Sequence, residues 1–138
     1  MTIESVACLY YRMNLKVVNK KKAMTKVAIP IFQNRVSPVL DSCKHILLID
    51  IESGAEQDRE TVFLGDMSLG ERCHVFTKMG VTLVICGGVS EILANVLKGS
   101  QIDLVNGIAG DIDEVIRALL QDRLYLPEFY MPGFKPNI

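Results

Sequence analysis

A chain of 138 residues, 49% hydrophobic and 22% charged, is long enough for one domain with a packed core and too apolar to be disordered. Its net charge of −1 lacks the basic excess that binding a phosphate backbone draws on, so a nucleic-acid partner is not expected. No apolar run reaches the roughly 18 residues of a spanning helix, and polar residues from Glu4 onward break up any signal-like start, so the expectation is a cytoplasmic protein without a membrane partner.

Residues 1–23 show neither a period of 2 nor one of 3.6, and Lys20, Lys21 and Lys22 read as a solvated run. They are expected to form a flexible N-terminal extension, with an added edge strand over Cys8–Val18 as the alternative. A single domain over residues 24–126 and a C-terminal tail over 127–138 complete the division. The first strand is Lys26–Ile31. It stops at a polar loop, Phe32–Pro38, that holds Asn34, Arg35 and Ser37. His45–Ile51 is the second strand, and Glu52–Ala55 is a turn in which Gly54 is free to take positive φ. Arg59–Leu64 is the third strand and completes an antiparallel meander.

Ser68, Leu69, Gly70 and Glu71 spell a capping box and open a helix. Leu69, Cys73, Phe76 and Met79 form its apolar stripe, and Gly80 ends it. Thr82–Cys86 is a strand apolar enough to be covered on both faces. Gly87, Gly88 and Ser90 lead into a second helix with the stripe Ile92, Leu93, Val96 and Leu97, closed by Gly99. Ile102–Val105 is the fifth strand. Asp111 caps the last helix, which buries Ile112, Val115, Ile116, Leu119 and Leu120 and carries an Asp113–Arg117 pair at i,i+4. The order βββαβαβα predicts an α/β fold: a mixed five-stranded sheet with flanking helices in three layers.

Ligands of such sheets bind beyond the carboxyl ends of the parallel strands. Three loops should meet there: 32–38, 87–90 and 106–111. Gly87, Gly88, Gly107 and Gly110 would let backbone amides approach a ligand, and the helix starting near Ser90 would point its positive end at it. With Arg35 nearby, the combination suits an anion. No CxxC or HExxH is present. The candidate soft metal ligands are Cys43 and His45, two apart and able to share a strand face, and Cys86 at the end of the fourth strand. Cys43, at a strand entrance, is expected to be the accessible thiol; Cys73 belongs to a core stripe and His74 to a helix surface. No nucleophile–base pair or carboxylate dyad is evident, so a non-catalytic binding protein is expected rather than an enzyme.

The segments VAIPIF, NRVSPVLDS, LLID and LVICGGVS together resemble the dinitrogenase iron–molybdenum cofactor biosynthesis family, in its RVSP-type branch, over roughly Met24–Met131. The resemblance implies a ribonuclease H-like fold. It also implies a nitrogen fixation-related carrier or scaffold for an iron–sulfur or iron–molybdenum cofactor precursor, which meets cluster-assembly or cluster-receiving proteins. Where nitrogenase-linked members have His-Phe-Gly, this chain has Val39, Leu40 and Asp41. Where the RVSP-type branch often closes on Met-Pro-Gly and cysteine, it has Met131, Pro132, Gly133 and Phe134. The alternative is a metal-free binding module that uses the same glycine loops for a small anionic metabolite or nucleotide.

Overall fold

The structure is a computed structural model that describes residues 25–133. The readings made for residues 1–23, both the extension and the edge strand, lie outside the described residues, as does Phe134. The elements in chain order are β1 (Thr25–Phe32), β2 (Arg35–Val36), β3 (His45–Glu52), β4 (Ala55–Phe63), α1 (Leu69–Lys78), β5 (Val81–Ile85), α2 (Glu91–Gly99), β6 (Asp103–Val105) and α3 (Ile112–Leu120). A short 3-10 turn, Pro127–Phe129, follows.

The path through the sheet is β4-β3-β1-β5-β6, with β2 paired to β1 alone. β1 runs antiparallel to β3 and parallel to β5, and β5 runs parallel to β6. The mixed sheet with helices on both faces is the expected three-layer architecture. β1 and β5 are central, and Val27, Ala28, Ile29, Leu83, Val84 and Ile85 are all buried, which is why both strands read as continuous apolar runs. Side chains alternate between two cores. Val27, Ile29, Leu47 and Ile49 pack under α3 with Val115 and Leu119. Ala28, Ile46, Leu48 and Val84 pack under α1 and α2 with Phe76, Leu93 and Leu97.

Two departures from the sequence reading concern strands. β2 lies inside the expected loop 32–38. Gln33 and Asn34 take φ values of 50° and 64°, so a two-residue hairpin folds Arg35 and Val36 back on Phe32 and Ile31. Asparagine tolerates this conformation, but the pair lacks the glycine that usually signals it. The third strand begins at Ala55 rather than Arg59. Its early residues, Glu56, Gln57 and Asp58, are polar because β4 is an edge strand with little to bury, and charges there discourage pairing with another chain. Ser53 and Gly54, at φ 55° and 77°, make the hairpin turn before it.

The helices differ in smaller ways. Of the expected α2 stripe, Leu93 and Leu97 are fully buried, whereas Ile92 is 68% and Val96 39% exposed. The i,i+4 pair Leu93–Leu97 faces the sheet, and its neighbours are turned about 100° away along the helix. Asp113 pairs with Arg59 of β4 at 2.8 Å, rather than with Arg117, and so ties the edge strand to the first turn of α3.

Ser68 caps α1 as expected. Glu71 N donates to Ser68 Oγ at 3.2 Å, and Ser68 N donates to Glu71 Oε1 at 3.1 Å. Ser68→Ala removes one half of this reciprocal pair and is expected to cost about 1 kcal/mol, read as a lowered midpoint in chemical denaturation.

Candidate functional site

The three loops beyond β1, β5 and β6 do meet, and backbone hydrogen bonds hold them together. Val36 N donates to Gly110 O at 3.0 Å, and Ile112 N donates to Asn34 O at 3.0 Å, which joins the β1–β2 hairpin to the start of α3. Gly88 N donates to Pro38 O at 2.6 Å, and Leu40 N donates to Gly88 O at 2.8 Å, which joins the segment after β2 to the loop after β5. Gly107 N donates to Gly87 O at 2.8 Å and completes the ring. Residues beyond α3 also reach this end of the sheet: Ala109 N donates to Phe129 O at 2.7 Å, and Met131 N donates to Gly107 O at 2.8 Å.

The glycines at this junction bring backbone against backbone. A methyl group on Gly87 would lie 2.7 Å from the Pro38 carbonyl oxygen and 3.1 Å from that of Ser37. One on Gly88 would lie 3.2 Å from Pro38 O. The Gly88 amide, expected to face a ligand, is engaged inside the protein. Ser37 is itself buried, whereas Asn34 and Arg35 are exposed on the hairpin tip. Asn34 Nδ2 reaches Asp111 Oδ2 at 3.4 Å.

The start of α2 is charge-compensated from within. Ser90 N donates to Asp41 Oδ1 at 2.8 Å, and Leu93 N donates to Ser90 Oγ at 3.1 Å. A carboxylate therefore already sits where the helix end was expected to attract an anion. Sequence reasoning named Asp41 only as a departure from a motif. Its place beside a helix start 49 residues later has no local signature.

The thiols lie below the junction. Cys43 was expected to be accessible, and it is not: it is 5% exposed and packs among Leu40, Ile46 and Leu64. Burial pushes its thiol up to about 11, against the opposing pull of the Arg72 guanidinium beside it. Cys86 is fully buried, and its thiol is pushed higher still, first by burial and then by Cys43 and Asp41. Cys43 and His45 do not share a face. Residues 41 and 42 are in a turn and Lys44 is in a bend, which breaks the strand alternation between them. His45 is exposed, with its ring centroid 5.2 Å from that of Phe63, while Cys43 belongs to the core under α1 and α2. Cys73 is a core residue and His74 a surface one, as expected. No cluster of three or more His, Cys, Asp or Glu side chains among the described residues is arranged to hold a metal ion.

Arg72, which the sequence reading passed over, is 2% exposed. Its guanidinium donates to the carbonyl oxygens of Cys43 at 2.5 Å, Met67 at 2.9 Å and Gly65 at 3.1 Å, and lies 3.6 Å from Cys43 Sγ. It thus pins α1 to the approach to β3.

The sequence matches a family described as "Dinitrogenase iron-molybdenum cofactor" over residues 24–122. Uncharacterized protein MJ0580 of Methanocaldococcus jannaschii is 28% identical over 109 residues, which is 75% of this chain and 92% of that one. Among solved structures, PH0822 superposes with a TM-score of 0.68 at 22% identity, over 72% of this chain and 91% of its own. A candidate dinitrogenase from Methanocaldococcus jannaschii superposes with a TM-score of 0.57 at 24% identity, over 73% and 92%. At such identities the two structures establish the fold. No described helix is long and apolar enough to cross a membrane.

Two outcomes test the junction. Gly87→Ala must push the Pro38 backbone away and is expected to destabilise by about 2 kcal/mol. Gly70→Ala, where a methyl group meets nothing within 4 Å, should instead gain up to about 1 kcal/mol in the same denaturation series. The second outcome concerns alkaline pH. The fold keeps the Cys43 proton to about 11, above the ordinary 9.0, so the unfolded chain ionises first. That contribution is complete below about 9 and is lost as pH rises toward 11. Thermal melts across this window should fall more steeply for the wild type than for Cys43→Ala.

Proposed function

Because this chain belongs to the dinitrogenase iron–molybdenum cofactor family, we propose that it is a non-catalytic cytoplasmic carrier or scaffold for an iron–sulfur or iron–molybdenum cofactor precursor. The observation that carries this reading is the family match across 24–122, a span that contains all three loops of the junction. The ribonuclease H-like arrangement implied by the resemblance would place a cargo at that same end of the sheet.

The cargo would be met at the outer surface of the junction. Arg35 offers an exposed guanidinium to an anionic cluster, and Asn34 stands beside it on the hairpin tip. The thiols require movement. A thiolate is the ligating form, and near neutrality Cys43 and Cys86 are protonated and covered. Displacement of the 38–43 segment would expose Cys43 before Cys86, since Cys43 belongs to that segment and Cys86 lies beneath it in the core. His45, on the other face, would not join the same ligand set. The carboxylates at the junction, Asp41 and Asp111, cap helices rather than face a reacting group, which supports a binding role over a catalytic one. Delivery implies transient contact with cluster-assembly or cluster-receiving proteins. The metal-free alternative has less behind it, because Asp41 already occupies the helix start that a free anion would use.

Anaerobic reconstitution of the full chain with ferric iron, a thiol reductant and sulfide tests the reading. Wild type should develop broad visible absorption, Cys43→Ala should lose most of it, Arg35→Glu should take up less iron, and Cys73→Ala should behave as wild type. A wild type that binds no iron, or cysteine variants that all bind like wild type, would overturn the carrier reading.

A further inference from the structure

A concavity lies away from the thiols, on the face covered by α3. It is a groove of about 250 Å³ between that helix and the Pro127–Phe129 turn. Its lining includes Gly110, the α3 residues Glu114 and Arg117, and Arg123, Glu128 and Phe129 from the chain beyond that helix. Two guanidinium groups and two carboxylates therefore share a small space. Among the described residues none of the four makes an ion pair, although Glu114 and Arg117 stand three apart on one helix. The arginine that does pair with α3 is Arg59, and its partner is Asp113, outside the groove.

Charge balance selects the ligand class. A phosphate or other polyanion would meet Glu114 and Glu128 as well as the arginines. A dication would meet Arg117 and Arg123. Only a ligand that carries both signs is attracted at every charged position, and an arginine fork suits a carboxylate in two-point contact. The volume suits a ligand smaller than a drug-sized one, and Phe129 gives an apolar surface beside the charges. We propose that this groove binds a free α-amino acid. Its carboxylate meets Arg117 or Arg123, its ammonium meets Glu114 or Glu128, and its side chain lies against Phe129. The Phe129 carbonyl is bonded to Ala109 N at 2.7 Å, so the wall that carries the phenyl ring is fixed to the loop after β6. This site is independent of the cargo reading, and each can fail alone.

The test is a two-dimensional amide NMR titration of the full chain with L-leucine and L-phenylalanine. Saturable shifts are expected at Ala109, Gly110, Arg123 and Phe129. For L-phenylalanine, the analogue without the ammonium and the analogue without the carboxylate should each bind at least about tenfold more weakly. R117Q and E128Q, both at exposed positions, should weaken binding by a similar factor at an unchanged melting temperature. No saturable shift with any standard amino acid would overturn the proposal. So would equal binding of either truncated analogue, inorganic phosphate that binds as tightly as the amino acid, or variants that bind like wild type.

Discussion

The close approach of two backbones, Gly87 to Pro38, is the constraint on which the loop end of this molecule depends. A side chain at residue 87 would occupy the space of a carbonyl oxygen, and the two reciprocal hydrogen bonds between Gly88 and the Pro38–Leu40 segment form only because it is absent. That contact fixes the segment that leads from β2 to β3. It thereby places Asp41 on the amide of Ser90, the residue that caps α2, seats Leu40 in the core at 0% exposure and covers Cys86. One missing side chain on a β–α loop thus decides where a carboxylate, a core leucine and a thiol are found.

Arg72 does comparable work below the junction. A buried guanidinium is costly unless its donors are occupied, and here neutral carbonyl oxygens on three separate residues occupy them. No carboxylate is among those partners, so the positive charge persists next to Cys43. It opposes the rise in the Cys43 pKa without reversing it, because burial is the larger effect. The same side chain ties the start of α1 to the approach to β3, so the environment of the thiol and the docking of the helix share one residue.

Much of this architecture was legible in the chain. The central strands were read because they are buried on both faces and therefore uniformly apolar. The capping box at Ser68 and the cap at Asp111 were read because their partners lie within three residues. What escaped notice depends on contacts distant in sequence or on backbone conformations without a strong residue signature. The β1–β2 hairpin turns on Gln33 and Asn34, which only the folded chain forces to positive φ. The first half of β4 is polar because it lies at an edge, a fact of topology rather than of composition. At the candidate site, the convergence of loops followed from strand order, but the fate of the side chains did not. Cys43 and His45 are two apart, and only the bend at Lys44 reveals that they face opposite layers.

The junction is therefore closed rather than empty. Gly87 and Gly88 face backbone, the helix start is met by Asp41, and the thiols keep their own protons. For a carrier these are useful properties. A thiol kept protonated and covered is protected from oxidation and from stray metal ions, because both reactions proceed through the thiolate. A helix start that already holds a carboxylate discriminates against small free anions, which would have to displace a tethered group of the same sign. A cargo that binds through thiolates must supply enough interaction to move the 38–43 segment, ionise Cys43 beside Arg72 and offset the lost cap. Loading is then coupled to a loop rearrangement, and unloading is favoured by the closed state to which the chain returns.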